Sequence, residues 1–130
     1  MPANDHAKPP VGDRWLAAYG RAWENRDREA AAELFSADAL YAWGPFDELH
    51  GRDAIRERWA EATAEQRDIR FRWEVLGSIG PTVVARWWCE FRVQGHDRHV
   101  SLDGIFLIEL DARGLCTSFR EWWAARETAG

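Results

Sequence analysis

Near residue 65 the spacing of apolar side chains changes from the helical period of about 3.6 to the strand period of 2. That change limits the chain to folds with helices first and a sheet afterwards. Before it, Asp13 is placed to cap a helix whose stripe is Trp15, Leu16, Tyr19, Ala22 and Trp23. Asn25-Arg26-Asp27-Arg28 breaks the stripe, and a short second helix is predicted from Glu29 to Phe35. Asp38 to Trp43 reads as a strand ended by Gly44-Pro45. A loop through Asp47, Glu48 and His50 reaches Gly51, and Asp53 to about Ala64 forms a third helix with Ile55, Trp59 and Ala62 on one face. After the change, Ile69, Phe71, Trp73 and Val75 alternate with Arg70, Arg72 and Glu74. Gly80-Pro81, Gln94 to Arg98 and Asp111 to Gly114 are turns between strands at Thr82–Val93, His99–Leu110 and Leu115 to about Ala125. The expected class is α+β: three N-terminal helices packed on a curved, mainly antiparallel sheet.

The chain has 130 residues, the size of one domain, and 12–130 is read as that domain behind a flexible arm, 1–11, containing Pro2, Pro9 and Pro10. The formal charge of −5 disfavours a nucleic-acid or anionic-membrane partner. Two cysteines, Cys89 and Cys116, make no disulfide framework, and no apolar run reaches spanning length. The expectation is a cytoplasmic protein with reduced thiols. Nine tryptophans call for an aromatic-lined cavity, a subunit interface or an aromatic-rich core.

The closing segment, Gly114-Leu115-Cys116-Thr117-Ser118-Phe119-Arg120-Glu121-Trp122-Trp123, carries the clearest chemical signal. In a strand, Phe119, Glu121 and Trp123 share one face, and Ser118, Arg120 and Trp122 the other. A carboxylate between two aromatic residues is exposed, paired with a cation, or kept for chemistry, because an unpaired buried charge prefers to neutralise. His96 and His99 flank a hairpin tip without the ligand set of a metal site. There is no nucleophile elbow, phosphate loop or dinucleotide fingerprint, so neither metal nor cofactor is expected.

Three stretches carry a likeness to a known family. They are Tyr19 to Asp27 with Ala31 to Ala39, then Gly51-Arg52-Asp53-Ala54-Ile55-Arg56, and Phe106 to Gly114 joined to the closing strand. In this order and spacing the chain resembles the nuclear transport factor 2-like superfamily, in its SnoaL-like and ketosteroid-isomerase-like branch. The resemblance implies a cone in which a bent sheet and three helices enclose a deep apolar pocket, usually in a homodimer. It also implies a role for Tyr19, which falls where the isomerases place a hydrogen-bond donor to an oxyanion. The isomerase general base falls on Trp43, so steroid isomerisation is not expected. Their protonated aspartate falls on Phe106, with Asp103 three residues upstream and able to reach the pocket only through a bulge. Limonene epoxide hydrolase has a carboxylate on its last strand, and Glu121 is similar to it in position.

The expected function is therefore small-molecule binding with cofactor-free acid–base catalysis of the isomerase, dehydratase, cyclase or epoxide-hydrolase type. Glu121, Tyr19 and Asp103 are the candidate catalytic groups. Trp15, Trp43, Trp59, Trp87, Phe106, Phe119 and Trp123 are the candidate wall for an apolar substrate. The alternative is a binding or accessory module without turnover. Trp88, Glu90, Arg92, Arg120 and Trp122 share an outward face, where a homodimer contact is expected.

Overall fold

Residues 9–129 are described by the structure, a computed structural model. Most of the predicted N-terminal arm lies outside the described residues. The chain runs α1 (Asp13–Glu24), α2 (Arg28–Ala32), β1 (Phe35–Ala42), β2 (Glu48–His50), α3 (Arg52–Thr63), β3 (Gln66–Ile79), β4 (Thr82–Val93), β5 (Arg98–Leu110) and β6 (Cys116–Ala129). The strands form one sheet in the order β2-β1-β6-β5-β4-β3. All neighbours are antiparallel except β1 and β6, which run parallel. This is the α+β layout that the change of period implies.

The helices follow from their apolar stripes. In α1 the buried residues include Trp15, Leu16, Tyr19, Ala22 and Trp23. Gly12, not Asp13, occupies the N-cap. Asp13 instead accepts a 2.8 Å hydrogen bond from Trp73 Nε1, which ties the start of α1 to β3. Gly20 lets α1 lie close on the sheet: a Cβ there would sit 2.6 Å from Phe71 Cδ2. Asp27 caps α2 by accepting from the Ala30 backbone N–H at 3.0 Å.

The second helix is shorter than its local pattern predicts, and Phe35 opens β1 instead of closing α2. The cause is distant in sequence. The Cys116 backbone N–H donates to the Leu34 carbonyl at 2.8 Å, and Phe35 pairs with Cys116 of β6. Glu48–His50, expected as loop, pairs with Leu40–Ala42 as β2. Along β3, β4 and β5, odd and even positions separate onto the two faces. The inward set includes Phe71, Val83, Ala85, Trp87, Cys89, Phe91, Phe106 and Ile108, all buried.

The core is built around Tyr19. Its ring lies 5.0 Å from that of Trp15 in a stacked arrangement, and 5.5 to 6.1 Å from those of Phe119, Phe106, Phe71, Trp23 and Trp59. Edge-to-face and offset contacts of this kind add to the free energy of burying the rings. No helix among the described residues is long and apolar enough to cross a membrane.

Candidate functional site

The inner face of the sheet does not pack solid against the helices. Between α1, α3 and the strands is a cavity of about 360 Å³ whose wall includes Tyr19, Tyr41, Trp43, Trp59, Trp87, Glu121 and Trp123. The strand period brings Glu121 there. Phe119 and Glu121 point inward on β6, while Arg120 between them is exposed. Glu121 is 8% exposed, although it is a carboxylate in an aromatic shell. Trp123 follows on the same face but is 42% exposed, so this end of β6 meets solvent at the rim.

Two tyrosines reach the carboxyl's surroundings from different elements. Tyr41 on β1 donates a 3.3 Å hydrogen bond to Glu121 Oε2. Its ring is stacked on Phe119 at 4.9 Å, which fixes the direction of the hydroxyl. Tyr19 on α1 is 2% exposed, and its hydroxyl accepts from Trp59 Nε1 at 3.2 Å. The other carboxyl oxygen, Oε1, has no hydrogen-bond partner among the described residues and is not sealed off, which leaves it facing the cavity.

Burial pushes the Glu121 pKa up to about 8, against the opposing pull of the Tyr41 hydrogen bond and the charge of Arg58. At neutral pH the protonated form is therefore favoured. Since Tyr41 donates to Oε2, Oε1 is the oxygen left to carry and offer the proton. Burial, reinforced by Glu121, raises the Tyr19 phenol well above its ordinary range. Burial and then the neighbouring Tyr19 and Glu121 do the same for Tyr41. Both phenols therefore act as neutral O–H groups, and Glu121 exchanges protons near neutrality.

Arg58 on α3 also lines the cavity, with its guanidinium 4.3 Å from the centre of the Trp43 ring. Trp23 Nε1 donates to Gln66 Oε1 at 2.7 Å, and both residues line the cavity. Trp87 has a different environment. It forms one rung with Gly104 and Trp123 across β4, β5 and β6, and a Cβ on Gly104 would lie 2.8 Å from Trp87 Nε1. Glycine leaves room for the indole edge there. Trp87 Nε1 is the one buried side-chain polar atom among the described residues with no hydrogen-bond partner.

The structure separates the predicted residues into three groups. Tyr19, Trp43, Trp59, Trp87, Glu121 and Trp123 meet in the cavity wall. Trp15, Phe106 and Phe119 are buried in the core behind that wall. Asp103 is on the outer face, and its expected route inward is absent. The β4–β5 pairing runs without a register shift, so odd positions of β5 stay outside. There Asp103 forms two hydrogen bonds with Arg86, at 2.8 and 3.2 Å, which hold its pKa below the usual range. Tyr41, Arg58 and Trp23 are wall residues that the sequence reading did not single out.

Other candidates lie elsewhere. Cys89 and Cys116 are buried free thiols, each raised in pKa chiefly by burial. His50 lies 3.7 Å from Glu48, and His99 lies 3.3 Å from Glu90. Among the described residues, no group of three or more His, Cys, Asp or Glu could hold a metal ion. Of the outward residues, Trp88 and Glu90 are half-buried and Arg92 and Arg120 exposed, while Trp122 is 44% exposed. Arg72 and Arg86 lie over the Trp88 ring at 5.0 and 4.6 Å.

Comparison with known proteins agrees with the architecture. The family profile of the SnoaL-like domain matches residues 16–119, and the chain belongs to that family. A search of curated proteins found no match. The fold is similar to that of SalBIII, an epoxide hydrolase/cyclase-like enzyme described in pyran ring formation in the polyether salinomycin. The TM-score is 0.73 at 21% identity, over 85% of this chain and 88% of that one. It is similar to an LEH-like epoxide hydrolase of M. tuberculosis (TM-score 0.66, 18% identity, 85% of this chain, 80% of the other). It is also similar to an NTF2-like protein from Exiguobacterium sp. 255-15 (TM-score 0.71, 20% identity, 85% and 98%). At these identities the likeness is one of fold: the nuclear transport factor 2-like cone.

Proposed function

We propose that this protein catalyses cofactor-independent acid–base chemistry on an apolar, oxygen-bearing small molecule, with Glu121 as the proton donor. One observation carries the reading: a buried carboxyl has one oxygen held by Tyr41 and the other free toward a cavity. A neutral carboxyl near its own pKa is suited to give a proton to an oxygen as its C–O bond breaks. The carboxylate left behind keeps the Tyr41 hydrogen bond and the nearby Arg58 charge, which lower the cost of forming it. The same carboxylate then takes a proton from the product and is ready for another cycle.

Glu121 is the one carboxylate in the cavity wall among the described residues. A reaction needing a separate base to activate water is poorly served by it. An isomerisation, or opening of an epoxide by a hydroxyl of the same molecule, needs only one group that lends a proton and regains it. The epoxide hydrolase-like descriptions of two fold neighbours support epoxide opening within this set. The presence of Trp43 at the position expected for an isomerase base favours a second reading, a ligand-holding module without turnover.

Turnover of 4,5-epoxy alcohols, with Trp fluorescence quenching to report binding, tests both readings. Glu121→Gln is expected to bind as wild type does and to lose about 100-fold or more in kcat. The wild-type kcat is expected to fall as pH rises through about 8, where the acid form is lost. Equal turnover by the two proteins would remove Glu121 from the chemistry. Binding without turnover by either would favour the ligand-holding module. A homodimer through the outer sheet face belongs to the same proposal, supported by the exposed Trp122 and the aromatic, charged surface around Trp88.

A further inference from the structure

We propose that the ligand of this cavity carries a carboxylate, which Arg58 receives at the rim while the apolar body extends inward toward Glu121. This deepens the acid–base reading above by naming the substrate class, and it rests on that reading for the protonated state of Glu121 and for what happens after binding.

The first argument is what Arg58 lacks. Its helix neighbour Arg56 is bound to Glu29 at 2.9 Å and to Asp53 at 2.8 Å. Arg86 is bound to Asp103, and Arg98 to Glu127. Arg58 forms no ion pair or hydrogen bond among the described residues, although it is half-buried in the wall of a cavity. Its guanidinium lies over the face of Trp43. Stacking on an indole holds a guanidinium in one plane and leaves its N–H edge free.

The second argument is charge balance inside the cavity. Among the described residues the wall contains one cation, Arg58, and one carboxylic acid, Glu121, which do not form a contact ion pair. With the acid protonated, the cavity wall carries a net positive charge inside a chain of net charge −5. A monoanion neutralises it. A phosphate dianion would overcompensate a single guanidinium, and no second basic side chain among the described residues lines the cavity.

The third argument is the match of shape and polarity. The planar fork of arginine fits a carboxylate with two parallel hydrogen bonds. Beyond the rim the wall is chiefly aromatic, with Trp23, Trp59, Trp87 and Phe91, and it suits a hydrocarbon body. A ligand anchored by its carboxylate at Arg58 presents its interior carbons and oxygens to the Glu121 Oε1 proton. Anchoring a remote group in this way orients the reacting one.

The test is a binding comparison at neutral pH that needs no turnover. Octanoate, its isosteric neutral amide octanamide, and octyl phosphate are titrated against the protein, read by quenching of the cavity tryptophans. Octanoate is expected to bind about tenfold or more tightly than octanamide, the range of a charge-assisted hydrogen-bonded pair. Arg58→Gln is expected to abolish that preference and leave octanamide affinity as it was, and Arg58→Lys to keep part of it. Glu121→Gln is expected to retain the preference, so loss of turnover and loss of carboxylate recognition are read separately. Equal affinity for octanoate and octanamide, or an undiminished preference in Arg58→Gln, would overturn the assignment. So would tighter binding of octyl phosphate than of octanoate.

Discussion

Glu121 has two oxygens in different surroundings, and its behaviour follows from that difference. One is held by Tyr41, the other meets the cavity, and burial keeps the pair protonated to about pH 8. An unfolded glutamate titrates near 4.3, so between about pH 4 and 8 the native state holds a proton that the unfolded state has released. Stability contributed by this group therefore falls as pH rises through that window and levels off above it. The cost is on the order of a few kcal/mol. Glu121→Gln is expected to remove it: urea midpoints should show the variant gaining on wild type between about pH 5 and about pH 9. A constant difference across that range would mean the carboxyl is solvated. Trp87 offers a second test at this scale. Its indole N–H is buried and unpaired, whereas that of Trp59 is bonded to Tyr19. Trp87→Phe removes an unsatisfied donor and Trp59→Phe a satisfied one. Chemical denaturation should find the Trp87 variant less destabilised, by about 1–3 kcal/mol.

Secondary structure shows which parts of the account a sequence can carry. The α1 stripe and the alternation of Ile69 and Phe71 with Arg70 and Arg72 on β3 are local periodicities, and they emerge as read. Glu121 was legible because its alternation with Arg120 and Trp122 is also local. Tyr41 was not, because its partner lies 80 residues away and the parallel β1–β6 pairing that joins them leaves no local mark. The same pairing takes Phe35 out of α2. Asp103 went to the outer face because β5 continues regularly where a bulge was needed to turn it inward. Arg58 was overlooked because a charged residue beside Trp59 looks like any solvated helix position until α3 is placed over the cavity. Close packing of elements is equally non-local. Gly20→Ala would place a methyl 2.6 Å from Phe71 Cδ2. Overpacking of about 1–3 kcal/mol should exceed the roughly 1 kcal/mol gained in helix propensity. Calorimetry should therefore find a lower Tm for Gly20→Ala, and adding Phe71→Leu should recover part of the loss. A rise in Tm for the single variant would show that α1 does not seat on β3 in this way.

For the molecule as a whole, the sheet divides two kinds of surface. Its inner face combines an aromatic core with a cavity lined by Glu121 and Arg58. Its outer face is arginine-rich, with Trp88 beneath two guanidiniums and Trp122 exposed at one edge. The proposed homodimer uses this outer face. Sedimentation equilibrium should give twice the chain mass for wild type and the chain mass for Trp122→Glu. Dimers of both proteins would place the contact elsewhere. In the proposed chemistry, the Glu121 carboxyl behind its aromatic rings stays protonated at neutral pH. The direct measurement is a carbon-detected NMR titration of the Glu121 side-chain carboxyl, assigned by its loss in Glu121→Gln. A midpoint near 8 is the predicted result, and a midpoint near the ordinary value of about 4.3 would contradict it.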